Sequence, residues 1–410
     1  MRPPTNIVAL ILAGGKGERL GPLTVHRAKP AVHFGGIYRI IDFAVSNCIN
    51  SGLTRILVPI QYRSRSLNTH IRDGLARYFN ATRGEFIEAL PPQQRQGEFW
   101  YQGTADAVYQ NLFALREENP ELVVVLAGDH IYKMDYRKMV EFHLANGAEV
   151  TCGAVEVPRA EASAFGVLAV DDAGRIVEFQ EKPREPKSVP GDPDTCLASM
   201  GIYVFRAESL YELLERDSAD PDSGHDFGRD ILPRLVGTRP LYAYRFVDAN
   251  KKATKYWRDV GTIDAFFEAN LDLVNVDPLL NLYDPDWPIH TRAVNMPPPK
   301  FVFDDAHPEG RVGAATDSIV SPGCIVSGGR VRRSVLSPGC RVNSFAQVED
   351  CVLFDNVVIG RHARVRRAIL DKGVNIPEGA MVGWDLEADR KRFTVTDSGI
   401  VVIAKGTVLS

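Results

Sequence analysis

Ile7-Val8-Ala9-Leu10-Ile11-Leu12-Ala13 is a continuous apolar run of strand length, and Gly14-Gly15 ends it abruptly. A run without polar alternation suits a strand covered on both faces, as in a layered α/β sheet. Similar runs recur at 55–60, 122–127, 149–157 and 200–205, with helical patterns at 104–118 and 136–146. Strands alternating with helices predict an α/β domain of Rossmann-like layering with a mostly parallel sheet. Beyond Pro297-Pro298-Pro299, a stiff break that neither a helix interior nor a central strand accommodates, the period changes. Ile319, Ile325 and Val331 stand six residues apart, as do Leu336, Val342 and Val348, then Leu353, Ile359 and Val365. Turn-forming residues fill the gaps, as in Ser321-Pro322-Gly323-Cys324 and Ser337-Pro338-Gly339-Cys340. This hexapeptide period predicts a left-handed parallel β-helix whose aliphatics stack in a narrow core. The expected division is a first domain at 1–290, a linker at 291–305 and the β-helix at 306–410.

Composition agrees. A chain of 410 residues exceeds one ordinary core, and 45% hydrophobic with 24% charged residues is a globular balance. A net charge of -4 argues against a basic nucleic-acid footprint. No apolar run approaches the length of a membrane span, and 7–13 is too short and too soon interrupted for a signal peptide. The six cysteines are dispersed, with no CxxC and no Cys/His pairing at zinc spacing. Reduced, packed thiols in a cytoplasmic protein are expected, with no membrane and no nucleic-acid partner.

The chemistry gathers at four places. Leu12-Ala13-Gly14-Gly15-Lys16-Gly17-Glu18-Arg19-Leu20 follows the first strand. Its glycines let backbone N–H groups approach phosphate oxygens, and Arg19 adds a charge-assisted donor. A Walker A loop is excluded because Gly17 follows Lys16, and a dinucleotide fingerprint because Leu20 stands at its third glycine. Glycine-rich loops are also ordinary turns. Arg27-Ala28-Lys29-Pro30-Ala31-Val32 supplies two more cations just downstream. Next, Val123 to Ala127 leads into Gly128-Asp129-His130, putting a carboxylate at the strand's C-terminal edge, where open α/β sheets bind ligands. With Asp259 in Tyr256-Trp257-Arg258-Asp259, it offers hard oxygen ligands of the kind Mg²⁺ prefers. A single Asp after a strand is more often a cap or turn residue, and His130 reads as a structural neighbour. Last, Glu178-Phe179-Gln180-Glu181-Lys182-Pro183 pairs an ammonium suited to a phosphate dianion with an acceptor for sugar hydroxyls. On its own an exposed Glu-Lys pair is ordinary surface charge.

The run from Leu12 to Val32 resembles the signature of the sugar-nucleotide pyrophosphorylases. Over essentially the whole chain the resemblance narrows to the bacterial ADP-glucose pyrophosphorylases. It rests on His33-Phe34-Gly35-Gly36, Arg39-Ile40-Ile41-Asp42-Phe43, Trp100-Tyr101-Gln102-Gly103-Thr104 and Ser163-Ala164-Phe165-Gly166-Val167. Ser46–Gly52, Leu197–Phe205, His225-Asp226-Phe227-Gly228 and Asp286-Trp287-Pro288-Ile289 extend it.

The resemblance implies transfer from ATP to glucose 1-phosphate, giving ADP-glucose and pyrophosphate for glycogen synthesis, in a homotetramer. It implies that Gly14, Gly15 and Gly17 hold the triphosphate, helped by Arg19 and Lys29, and that Asp129 and Asp259 hold Mg²⁺. Tyr101, Gly166, Glu181, Lys182 and Ser199 would surround glucose 1-phosphate, and Gln94 and Gly103 are candidates for reading the base. An anionic sugar-phosphate effector would meet His26, Arg27, His33, Arg39, Lys372 and Lys405. His26 replaces a lysine of members activated by fructose 1,6-bisphosphate, which points to a monophosphate such as fructose 6-phosphate. Glu117 replaces a basic position tied to AMP inhibition. The rival readings are another nucleoside triphosphate, a catalytically weak regulatory subunit, and acyl transfer on the β-helix, whose lone His362 is a weak argument.

Overall fold

The computed structural model describes residues 6–15, 17–92, 100–250, 252, 255–305, 307 and 310–409. Two compact units divide the chain. One comprises Met1–Gly15, Phe43–Gly128 and Tyr132–Trp257; the other comprises Lys16–Asp42, Asp129–Ile131 and Arg258–Ser410. This grouping is not the linear division at 290 and 305. Residues 16–42, 129–131 and 258–290 belong to the unit that contains the β-helix.

The first unit is built on one sheet. Its strands are β1 (Ile7–Leu12), β2 (Arg55–Pro59), β3 (Phe86–Leu90), β4 (Leu122–Ala127), β5 (Val150–Pro158), β6 (Gly166–Val170), β7 (Ile176–Glu181), β8 (Thr195–Arg206) and β9 (Leu241–Arg245). The spatial order is β7-β6-β8-β4-β1-β2-β3, with β5 on β8 and β9 on β5. β3, β2, β1 and β4 are parallel, whereas β8 runs antiparallel to β4, β5 and β6. Val8 through Ile11 are fully buried, which is why β1 has no polar alternation. Helices at Thr104–Tyr109, Leu112–Glu118 and Ala207–Ser218 bury Val108, Leu112, Leu115, Leu210 and Leu214 in one core with β1 and β4. The parallel register sets Leu12 opposite Ala127. Two motifs distant in sequence therefore leave the sheet side by side, and Gly128 N–H donates to Leu12 O at 3.1 Å. A Cβ on Gly128 would lie 2.9 Å from Ile11 Cγ2, so this approach requires glycine.

In the second unit, short parallel strands stack coil upon coil in a β-helix. Leu336, Leu353 and Leu370 form one inward column, Val342, Ile359 and Ile376 another, and Val331, Val348, Val365 and Val382 a third. All are at most 2% exposed. The first coil departs from the sequence reading by one position. Val320 pairs with Leu336 and Val326 with Val342; Val326 is fully buried and Val320 packs partly buried against the core, with Ile319 and Ile325 half-buried beside them. The corner at Gly328-Gly329 is where the spacing slips, with Gly328 at φ 73°. Ahead of the coils, Phe34 packs edge-on against Phe266, and Phe266 edge-on against Phe354. The six cysteines are free and buried. Among the described residues no helix is long and apolar enough to cross a membrane.

Candidate active site

Asp129, Asp259, Lys29, Arg19 and His130 come together in the second unit. Lys29 begins a short turn, Lys29–Ala31, whose conformation Pro30 favours. Its ammonium donates to Asp129 Oδ2 at 2.8 Å and to Asp259 Oδ1 at 3.0 Å. Gly17 makes this possible: it sits at φ 66°, and a Cβ there would lie 3.0 Å from Lys29 Cβ. Arg19 reaches Asp259 Oδ2 at 3.6 Å and is otherwise 69% exposed, free to meet an anion. Gly261 leaves room for both, since its Cβ would fall within 2.7 Å of the Arg19 guanidinium and 2.8 Å of Asp259 Oδ1.

The electrostatics follow from this packing. Burial disfavours charge on Asp129, but Lys29 and then His130 outweigh it and hold the carboxyl well below its usual range. Burial likewise opposes the Lys29 charge, and the two carboxylates overcome it and raise its pKa. His130, read from the sequence as a bystander, has Nδ1 at 3.6 Å from Asp129 and Nε2 at 3.9 Å from Asp259. Burial lowers its pKa despite the two acids. Two carboxylates converging on one cation are a donor set that fits a hard divalent metal, which needs only one or two protein carboxylates when substrate phosphates complete its shell. Among the described residues no group of three or more acids, histidines or cysteines forms a self-sufficient metal cage.

The first unit holds the other candidates. Gly14 lies against Gln61 and Tyr101, where its Cβ would touch both at 3.6 Å, and beside Gly15 the space is open. Tyr101 Oη accepts from Asn111 at 2.9 Å. Glu181 pairs across β6–β7 with Gly166, whose Cβ would lie 3.0 Å from Glu181 Oε2. A Cβ on Gly228 would likewise lie 2.7 Å from Glu181 Oε2. Lys182 follows at φ 45°, its N–H on Phe165 O, its ammonium 3.1 Å from Glu181 Oε1 and 65% exposed. Ser199 Oγ sits 3.3 Å from Cys152 Sγ and 3.5 Å from Tyr203 Oη. Gly103 packs under the His225 carbonyl, which a Cβ would meet at 2.1 Å, so its identity already has a structural reason. Gln94 lies outside the described residues.

The six residues expected to meet an effector lie in the second unit and range from buried to exposed. His33 Nε2 and Lys372 Nζ both contact Asp355 Oδ2, at 3.2 and 3.1 Å. Burial opposes charge on Asp355, but the His33 hydrogen bond and charge and then Lys372 hold it ionised; burial also pushes His33 below its ordinary value. Arg39 carries hydrogen bonds to Ala31 O and, through its N–H, to Asp42. Arg27 differs: 4% exposed, it is committed to Asp371 at 2.9 Å, to Leu23 O and to the Phe354 ring. His26 and Lys405 are exposed. Arg292, not singled out by sequence, adds charge near Arg39.

A layered α/β sheet in the first unit and, in the second, two acids converging on paired cations are features of a nucleotidyl-transfer protein, and comparison with known proteins agrees. The Nucleotidyl transferase family profile matches residues 8–276, and the profile of the GlmU-like, C-terminal hexapeptide matches 297–403. A glucose-1-phosphate adenylyltransferase of Rhodopirellula baltica is 57% identical over 98% of this chain and 91% of its own length. Proteins of the same name from Koribacter versatilis and Methylobacillus flagellatus are 53% and 54% identical over 97% of this chain, and 95% and 93% of theirs. The chain belongs to the nucleotidyl transferases and, within them, to the glucose-1-phosphate adenylyltransferase family.

Proposed function

We propose that the chain transfers the adenylyl group of ATP to α-D-glucose 1-phosphate, releasing pyrophosphate and forming ADP-glucose for glycogen synthesis. The observation that carries this reading is the convergence of Asp129, Asp259 and Lys29, from three distant parts of the sequence, within hydrogen-bonding distance. A phosphate oxygen of the sugar attacks the α-phosphorus, and pyrophosphate leaves in line. The nucleophile is already anionic, so no general base is required; alignment and charge neutralisation supply the rate. Asp129 and Asp259 would hold Mg²⁺, which when bound polarises the α-phosphate and neutralises charge. Lys29 holds Asp129 ionised and, with Arg19, supports the leaving pyrophosphate. Gly14, Gly15 and Gly17 receive the triphosphate. Tyr101, Gly166, Glu181, Lys182 and Ser199 serve glucose 1-phosphate, with Glu181 accepting from sugar hydroxyls and Lys182 facing the phosphate. Gln94 and Gly103 are assigned to the base.

The β-helix region, 306–410, is assigned to assembly of a homotetramer and to regulation, and residues 1–290 to catalysis. An anionic sugar phosphate, fructose 6-phosphate rather than the bisphosphate, is the effector proposed for His26, His33, Arg39, Lys372 and Lys405, with Arg27 as support. Six buried free thiols suit a reducing, cytoplasmic setting. Pyrophosphate release measured across all nucleotide and sugar-phosphate pairs tests the assignment. ATP with glucose 1-phosphate should give the highest kcat/KM; equal efficiency with UTP or GTP would refute the nucleotide.

A further inference from the structure

The helical stretch expected over 104–118 is broken at Gln110-Asn111, and one side chain organises the break. Asn111 sits at φ −110°, ψ 13°, and its main-chain N–H bonds to Val108 O at 3.0 Å. Its side-chain Nδ2 donates to Ala107 O at 2.8 Å and gives its other hydrogen to Tyr101 Oη at 2.9 Å. Asn111 precedes the helix Leu112–Glu118 at the N-cap position, yet its side chain makes no cap hydrogen bond. Asparagine in that position ordinarily turns its oxygen onto the helix N–H groups. Here the amide faces back towards Tyr101. The residue is 1% exposed, and among the described residues its Oδ1 has no partner.

The Ala107 carbonyl excludes the flipped amide, because two oxygens would then face each other with no hydrogen between them. Tyr101 Oη is therefore an acceptor towards Asn111. A phenolic hydrogen lies near the ring plane on one side of the C–O bond or the other, so a donor on one side turns it to the opposite side. The half-buried ring of Tyr101 stands beside Gly14 at the edge of the sheet where the glycine loop leaves β1.

We propose that Asn111 is a positioning residue for nucleotidyl transfer: it fixes the Tyr101 hydroxyl as a hydrogen-bond donor to an acceptor oxygen of the sugar phosphate. The proposal rests on the reading of Tyr101 as a glucose 1-phosphate contact. Asn111 does not touch substrate; it orients the group that does.

A double-mutant cycle tests it on the full-length protein with ATP and glucose 1-phosphate as probes. Tyr101→Phe should raise the KM for glucose 1-phosphate about three- to tenfold, with the KM for ATP unchanged. Asn111→Leu should raise the same KM by a similar factor with kcat within about twofold, and should add nothing in the Tyr101→Phe background. Asn111→Asp is nearly isosteric; kept protonated in this buried site, it donates its single hydrogen to Ala107 O and can only accept from Tyr101. It should draw the phenolic hydrogen to itself and raise the glucose 1-phosphate KM at least as much, again only while Tyr101 is present. This second variant keeps the proposal testable if Asn111→Leu fails to fold. Independent, multiplicative effects in the two backgrounds, or an Asn111 variant that loses thermal stability with KM unchanged, would overturn the positioning role alone. An unchanged KM in Tyr101→Phe would overturn both that role and the placement of Tyr101 at the sugar phosphate.

Discussion

Lys29 and Asp129, 100 positions apart in sequence, form an ion pair at 2.8 Å, and the same ammonium holds Asp259 at 3.0 Å. The lysine is nearly inaccessible, whereas Asp129 keeps about a third of its side chain exposed, so one face of the carboxylate pair remains open to a ligand. Replacing either acid removes a carboxylate whose partner cations stay in place. Asp129→Ala and Asp259→Ala should each lower kcat by at least about 10³-fold, or about 4 kcal/mol of transition-state stabilisation. Circular dichroism should report an intact fold. Near-normal turnover in a folded double variant would take the metal-holding role away from both.

Gly17 bears on the same pair through the backbone. Its left-handed φ costs a side-chain-bearing residue about 1–2 kcal/mol, and a methyl there would press on both Lys29 Cβ and Thr24 Cγ2. Gly17→Ala should displace Lys29 and lower kcat/KM by roughly 10- to 100-fold, because a misplacement of about 1 Å can cost that much. A Gly15→Ala control has open space around it and should have a smaller effect on stability. Thermal melts and steady-state kinetics on the two variants would separate strain from lost contact; equal melting temperatures and equal kcat/KM would contradict the argument.

Lys182 is proposed for the other substrate. Its exposed ammonium is steadied by Glu181 at 3.1 Å, and in that role it would meet the sugar phosphate in ground and transition states alike. Uniform binding of that kind is expressed in KM. Lys182→Ala should raise the KM for glucose 1-phosphate by at least about tenfold, with a smaller change in kcat and none in the KM for ATP. A raised KM for ATP instead would reassign the residue.

Much of this was legible in the sequence because it is written in local periods. The uninterrupted apolar run of β1 reports burial on both faces, and the six-residue aliphatic step reports a coil. The one-residue slip at Val320 and Val326 was not legible, since it depends on a corner shortened at Gly328-Gly329 and adjacent valines offer either register. The grouping of residues 16–42 with 258–410 was hidden for a different reason: it is set by contacts such as Phe34 on Phe266, which no period announces. At the site, Asp129 and Lys29 could be named from motifs, but their direct pairing could not. His130 could have been flagged as a histidine adjoining a candidate ligand. Asn111 carried no motif, and its significance lies in a helix break visible only in three dimensions.

His143 gives a stability prediction with a definite sign. It is fully buried, Nδ1 bonds to Thr151 Oγ1 at 2.9 Å, and burial, reinforced by the nearby Arg206 charge, depresses its pKa to about 4. The unfolded chain, with an ordinary histidine near ~6.5, binds the proton more readily. The contribution is thus fully present above about pH 6.5 and is lost as pH falls from there towards 4, at about 1.4 kcal/mol per pH unit. Between pH 7 and pH 5 the loss should be about 2 kcal/mol. Urea titrations of wild type and His143→Gln at both pH values check this. The variant should lose less stability on acidification, and parallel losses would show that His143 is not the group responsible.

Arg27 and Asp371 are 5% and 1% exposed and lie 2.9 Å apart, so their pairing answers a structural need before any regulatory one. Breaking a buried pair by removing one partner typically costs about 3–5 kcal/mol, because the survivor stays charged in a low-dielectric site. Asp371→Leu should therefore lower stability by an amount of that order, leaving the Arg27 guanidinium against Phe354 with the Leu23 carbonyl to receive it. Removing both charges in Arg27→Met/Asp371→Leu should recover only part of the loss, because Asp371 also accepts from the Lys372 and Lys405 N–H groups. Lys372→Ala should cost little, because Lys372 is 41% exposed and its pairing with Asp355 is partly screened. The two positions should then separate in an activation assay with fructose 6-phosphate. Lys372→Ala should weaken activation without destabilising the protein, while Arg27→Lys, which keeps a buried cation beside Asp371, should retain it, because Arg27 is turned inward. Loss of activation in Arg27→Lys at wild-type stability would show that Arg27 itself meets the effector.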